Sequence, residues 1–130
     1  MTKLAMIALG GAVGALLRYG VGVWSTQQVG TGFPWGTLIV NLLGAFLIGI
    51  LAALMQRTPW ADWLVGLVMV GLLGAFTTFS TFSLEAVTLF REGAVAKAML
   101  YLGVSNVGGV ALAALGFWLG SLLSSSTALP

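Results

Sequence analysis

The chain has 130 residues, of which 59% are hydrophobic and only 6% are charged. A soluble domain carries roughly 25% charged residues, so this chain has too little polar surface to stay in water and is an integral membrane protein. It contains no cysteine or histidine, which excludes disulfides, thiol chemistry and histidine-based metal binding or catalysis. No plausible base lies near its serines, so an enzyme is not expected, and neither is a nucleic-acid partner.

Four apolar stretches are long enough to cross a bilayer as helices, which takes about 20 residues each. They cover approximately residues 4–24, 35–55, 64–90 and 95–123. The stretches are continuous rather than alternating, which favours helices over a β-barrel. The first has no clear small-residue cleavage site and is interpreted as a retained span. The sequence therefore predicts a single four-helix transmembrane domain over residues 1–130.

The positive charges are nearly balanced between the two ends of this bundle. Both termini and the second connection share one side, which carries Lys3 and Arg57. The other side carries Arg91 and Lys97, together with Arg18 if that side chain reaches outward. Since orientation depends on an excess of such charges, two interpretations remain. Either a partner or another signal orients the chain, or it inserts both ways and pairs with itself antiparallel.

The third stretch is the least typical of a membrane span. Its segment GLLGAFTTFSTFSLE, residues 71–85, contains five hydroxyl residues within seven positions. As a straight helix the stretch would be roughly 40 Å long and exceed the hydrocarbon core, so it must tilt or break. A break is expected over residues 71–77, where Gly71 and Gly74 are followed by the clustered hydroxyls, and carbonyls freed there can hold a cation. Phe79 and Phe82 are either packing rings or rings whose positively polarised edges face a passing anion.

Other polar residues within the spans allow similar pairs of interpretations. Arg18 either extends to the headgroups or gives a vestibule a positive potential. Asn41 either forms a hydrogen bond to a neighbouring helix or donates into an ion pathway. Tyr101 and Ser105 share a helix face, and they too either form hydrogen bonds within the bundle or line a pathway. Glu85 is the one acid within the spans and lies near a span end, which favours anion over cation transport.

This set of residues resembles the Fluc family of small fluoride channels. The resemblance is carried by GAFTTFSTFSLE at residues 74–85, by PWGTLIVNLLG at residues 34–44 and by Arg18, and it covers nearly the whole chain. It implies an antiparallel, dual-topology homodimer in the cell (inner) membrane, with two fluoride pores and a third helix broken near the midplane. Ala75 and Gly109 depart from the family pattern, which affects the expected break geometry and the polar track of the fourth helix.

The resemblance also implies roles for individual residues. A sodium ion on the dimer axis would be bound by the backbone carbonyls of Gly74 and Thr77 from both subunits. Arg18 and Glu85 would supply electrostatics at a vestibule. The fluoride pore would be lined by Asn41, Phe79, Phe82, Ser80, Thr81, Tyr101 and Ser105.

The function that the resemblance implies is passive, selective export of cytoplasmic fluoride. One alternative is a small multidrug-type antiparallel exporter. That class needs an acid within its first helix, where this chain has no carboxylate and its charged residues are Lys3 and Arg18. The other alternative is a membrane assembly subunit that transports nothing.

Overall fold

The computed structural model describes residues 1–57 and 59–126, and nearly all of these are helical. Two segments within the described part, Gly66–Leu73 and Val104–Gly108, are wider π-helices. The α-helices of the same part are α1 (Thr2–Val29), α2 (Trp35–Arg57), α3 (Asp62–Val65), α4 (Gly74–Phe76), α5 (Phe79–Arg91), α6 (Val95–Gly103) and α7 (Gly109–Ser126).

These elements combine into four stretches that are long and apolar enough to cross a membrane, counted over the residues described. The four spans are Thr2–Val29, Trp35–Gln56, Asp62–Arg91 and Val95–Leu123. The all-α membrane architecture predicted from the sequence is therefore confirmed. The first and third spans are longer than predicted because their helices continue past the apolar residues into the polar ends.

The α1 helix packs closely on the upstream half of the third span, residues 62–76, through glycines. A Cβ atom at Gly10 would collide with the Leu67 carbonyl oxygen, and one at Gly14 with the Leu72 carbonyl oxygen. A Cβ atom at Gly71 would lie only 2.6 Å from the Ile7 carbonyl oxygen. Lipid tails give no hydrophobic drive for helix association, so this backbone-to-backbone approach is what holds the pair together.

A second pair, α2 with α7, makes the most extensive contact between helices, and it uses the same device. Cβ atoms at Gly49 and Gly116 would collide with carbonyl oxygens of Ala113 and Phe46 respectively. The monomer thus contains two tightly packed helix pairs, whereas α5 contacts α2 only sparsely and packs mainly on α6.

The third span is interrupted at Thr77 and Thr78, which confirms the predicted break. Thr77 has φ −83° and ψ 160°, and Thr78 has φ −152° and ψ 121°, so both residues are extended. Of the predicted range 71–77, only Thr77 belongs to the break, and the expectation that the two glycines take part in it is wrong. Gly71 lies within a π-helix, and Gly74 is helical with φ −62° and ψ −34°. Gly71 instead serves the contact with α1, where a side chain would not fit.

The helix resumes because Thr78 caps it. The Thr78 hydroxyl accepts a hydrogen bond from the Thr81 amide at 3.3 Å, which satisfies one of the unpaired amides at the start of α5. Below this cap, α5 contributes Phe82, Ala86 and Leu89 to a buried cluster with Leu38 and Tyr101. The opposite face of α5 is uncovered, with Leu84 67% exposed, and Phe79, at the start of the helix above the buried cluster, is 78% exposed.

Candidate functional site

The break is held open by the amide of Asn41, which lies on α2. Asn41 Nδ2 donates to the Thr78 carbonyl at 3.0 Å, and the Thr78 amide donates to Asn41 Oδ1 at 2.8 Å. In a continuous helix the Thr78 amide would bond to the Gly74 carbonyl. Asn41 replaces that bond, so the extended backbone has its polar groups satisfied at membrane depth. One N–H of the Asn41 amide remains for another acceptor.

A cavity of about 420 Å³, the central cavity, lies beside the break. Its polar lining includes Asn41, Thr77, Thr78 and Ser105, and its aromatic lining is Phe79 and Phe82. The two rings have centroids 5.8 Å apart and planes inclined at 47°. The Ser105 hydroxyl is buried without a hydrogen-bond partner among the described residues. A buried unpaired hydroxyl is unfavourable, so Ser105 is open to a ligand or water in this cavity.

Arg18 points inward to the other side of the same break. Its Nε donates to the Ala75 carbonyl at 3.0 Å, one of the carbonyls at the end of α4 that the break leaves without an amide. The interpretation that Arg18 extends to the headgroups is therefore wrong. Arg18 lines a second space of about 690 Å³, the inner cavity, together with Thr78, Thr81 and Glu85. Its positive charge thus faces the space that approaches the break.

Glu85 joins three helices further along α5. Its Oε1 accepts a hydrogen bond from the Thr37 hydroxyl on α2 at 2.9 Å, and its Oε2 accepts one from the Tyr101 hydroxyl on α6 at 2.7 Å. Tyr101 is fully buried and packs on Phe82, with ring centroids 5.1 Å apart. The Tyr101 hydroxyl therefore reaches Glu85 and is not among the groups lining the central cavity.

A third space of about 370 Å³, the outer cavity, opens beside the connection between α1 and α2. It shares Thr37 and Glu85 with the inner cavity, and the inner cavity shares Thr78 with the central one. The three spaces thus form a series of neighbours from the connecting loops to the break, with Thr37 and Glu85 at the first boundary and Thr78 at the second.

The structure brings most of the predicted site residues to this series of cavities. Two residues are exceptions: Ser80 lies on the exposed surface of α5, and Tyr101 is fully buried behind Phe82, so neither lines any of the three spaces. Two contributors were not predicted. Thr37 lies four residues before Asn41, so a shared helix face was the available signal. The Ala75 carbonyl, bonded by Arg18, has no sequence signal because any residue carries that group.

The ligands available for a metal ion at the break are backbone carbonyls. Among the described residues, no group of three or more acidic, histidine or cysteine side chains could hold a metal. The Gly74 carbonyl has lost the Thr78 amide to Asn41, and Gly74 itself is exposed on the monomer surface. Free carbonyls at a helix C-terminus carry partial negative charge, and oxygen ligands suit hard cations.

Comparison with known proteins gives consistent matches over most of the chain. A model of the family described as CrcB-like protein, Camphor Resistance (CrcB), matches residues 5–117. The fluoride-specific ion channel FluC of Agrobacterium fabrum is 48% identical over 121 residues, which cover 92% of this chain and 97% of that protein. FluC of Thermus thermophilus is 48% identical over 121 residues, covering 93% and 95%. FluC of Shewanella halifaxensis is 47% identical over 108 residues, covering 83% and 86%.

Proposed function

Because the chain belongs to the CrcB-like protein family, we propose that it is a fluoride-specific ion channel, which lets fluoride leave the cytoplasm passively across the cell membrane. The observation that carries this proposal is the broken third span beside a series of three cavities. The break leaves the last carbonyls of α4 and the first amides of α5 without partners in their own helix, where an uninterrupted helix would pair them. A small anion needs such groups to replace its water.

The start of α5 favours an anion at the break. Helix N-termini carry partial positive charge and unpaired amides, and an α-helix of 13 residues has both. The Thr81 amide is occupied by the Thr78 hydroxyl, which leaves the amides of Phe79 and Ser80 for other acceptors. The break thus turns the middle of a span into an anion-attracting helix end.

Side chains around the central cavity complete the set of donors. Fluoride would receive hydrogen bonds from the second N–H of Asn41 and from the Ser105 hydroxyl, with Thr81 contributing on the approach. Phe79 and Phe82 would present positively polarised ring edges. Arg18 would raise the fluoride concentration in the inner cavity. Tyr101 would act on fluoride indirectly, because its hydroxyl proton is directed to Glu85.

The functional unit in this proposal is an antiparallel homodimer. Two observations support it: the positive charges are balanced between the ends of the bundle, and the face of α5 with Leu84 and Val87, together with the Phe79 ring, is uncovered in the monomer. A sodium ion would be bound between the subunits by carbonyls of Gly74 and Thr77. The lost amide of Thr78 and the exposure of Gly74 support that location. The cation would lower the free energy of an anion in the surrounding low dielectric.

The proposal is tested by fluoride efflux from liposomes containing the purified chain, followed with a fluoride electrode. We expect efflux down the gradient with chloride passing far more slowly. Equal passage of fluoride and chloride would contradict the proposal. Chemical cross-linking in the same liposomes tests the dimer separately, and replacing external and internal sodium by a bulky organic cation tests the sodium site.

A further inference from the structure

Glu85 occupies the junction between the outer and inner cavities, where an acid is unexpected on an anion route. Its carboxylate can only accept hydrogen bonds, and it accepts two, from Thr37 and Tyr101. The protons of both hydroxyls therefore point at Glu85 and not at an ion in the cavities. Thr37 and Glu85 line both spaces, so an ion that moved from one space to the other would meet this arrangement.

We propose that Glu85 is a positioning residue that sets how tightly fluoride is held at this junction, by keeping the Thr37 and Tyr101 hydroxyl protons away from the ion. This rests on the proposed fluoride channel function. With Glu85 ionised, the two hydroxyls offer an anion only their lone pairs, and the carboxylate adds repulsion. The junction is therefore a place where fluoride does not rest, which shortens its stay between the mouth and the break.

The surroundings of Glu85 favour this role over that of a simple ion-pair partner. Arg18, the cation lining the same inner cavity, gives its Nε to the Ala75 carbonyl. Lys97, on the helix that carries Tyr101, donates to the Gly32 carbonyl at 2.9 Å. Glu92 lines the outer cavity and adds negative charge there. Among the described residues, the Glu85 carboxylate is thus bound by two hydroxyls and by no cation.

The experiment measures current through planar bilayers containing the full chain over a series of fluoride activities. We expect Glu85→Gln to lower the fluoride activity that gives half-maximal current by about fivefold or more, because one or two hydroxyl protons become available to the ion. Tyr101→Phe alone should change this value by less than about twofold. When Tyr101→Phe is added to Glu85→Gln, it should reverse most of the fall in the half-saturating fluoride activity. If Glu85 had only a structural role, Tyr101→Phe would change the half-saturating fluoride activity by the same factor in the unsubstituted protein and in the Glu85→Gln protein.

Glu92→Gln is the matched control, since it removes a negative charge from the outer cavity without a hydroxyl partner being freed. The proposal would be overturned if Glu92→Gln lowered the half-saturating fluoride activity as much as Glu85→Gln does. It would also be overturned if Glu85→Gln left this activity unchanged or raised it. If Glu85→Gln does not fold, Glu85→Asp replaces it, because the shorter side chain cannot reach both hydroxyls and should give a smaller change of the same sign. An absence of fluoride current in the unsubstituted protein would instead contradict the channel function itself.

Discussion

The two halves of the third span are held in place by different means. Residues 62–76 lie against α1 with their backbones nearly in contact, through Gly10, Gly14 and Gly71. The α5 half has no such contact and keeps its position through side-chain hydrogen bonds at its start and through one buried face. Its other face is open, with Leu84 67% exposed and Val87 54% exposed.

This difference separates scaffold from site. Backbone-to-backbone packing tolerates no added atoms, but it places few polar groups, so the upstream half provides a fixed platform. Hydrogen-bonded side chains are individually weaker and can be exchanged, and the α5 half uses them both to set its position and to line the cavities. Substitutions in the first half should therefore affect folding, and those in the second half should affect conduction more than folding.

The largest effect is expected for Gly10→Ala. The new Cβ atom would meet the Leu67 carbonyl, which is backbone and cannot move aside, so we expect a loss of about 3 kcal/mol or more in stability. The fraction of monodisperse protein after extraction in detergent measures this loss. Gly11→Ala is the control, because no atom lies within 4 Å of a Cβ atom there. Similar behaviour of the two variants would contradict the platform interpretation.

Asn41→Ala should have the next largest effect. It leaves the amide and the carbonyl of Thr78 without partners, which we expect to lower stability by about 2 to 4 kcal/mol. Fluoride current should fall by more than about tenfold, since the break loses its geometry. Thermal unfolding and bilayer current measure the two effects. Asn106→Ala, which removes one bond to the Leu102 carbonyl within the same helical stretch, should be close to the unsubstituted protein in stability.

Arg18→Met tests whether the platform and the break are coupled by this side chain. It removes one charge-assisted hydrogen bond to the Ala75 carbonyl, with an expected loss of about 1.5 to 3 kcal/mol. Arg18→Lys restores the charge without the same donor geometry. If charge in the inner cavity is what matters, bilayer current in the lysine variant will exceed that in the methionine variant. Equal currents in both variants would assign Arg18 a purely structural role.

The smallest effect is expected for Thr78→Val, which removes the cap at the start of α5. Loss of an N-cap destabilises by about 1 kcal/mol, measured as a lowered unfolding temperature. Thr78→Ser should retain most of the stability because the hydroxyl is kept. Thr88→Val, at a hydroxyl bonded within its own helix to Leu84, should change stability little. A Thr78→Val protein as stable as the Thr88→Val protein would show that the hydroxyl does not maintain the break.

Hydropathy alone predicted the spans, since a bilayer requires long apolar helices, and the motif at residues 74–85 correctly indicated the family. The cause of the break was not predictable in the same way. Glycine allows a break but does not impose one. Gly71 is helical where it packs on α1, and Gly74 is helical although its surroundings would accept a side chain. What imposes the break is Asn41, 37 residues away in sequence from Thr78. Its two-sided amide bond is a tertiary contact that no local pattern contains.

The partners of the charged groups were also beyond the sequence. Arg18 and Glu85 were both predicted to act at a vestibule, and both line the inner cavity. Arg18 bonds a main-chain carbonyl, and Glu85 bonds two hydroxyls. These partners depend on how the helices cross, which charge counting does not determine. The proposed roles of the pore residues, the dimer and the sodium site stay predictions.

The reciprocal bonds between Asn41 and Thr78 have a consequence for how the protein is made. The break exists only where an amide from the second span replaces a bond that the third span would otherwise make within itself. While the third span is alone in the bilayer, an unbroken helix satisfies its backbone best. We therefore expect it to enter the membrane as one continuous helix and to open only when it docks on its neighbour. The ion pathway would be created during assembly, after insertion is complete.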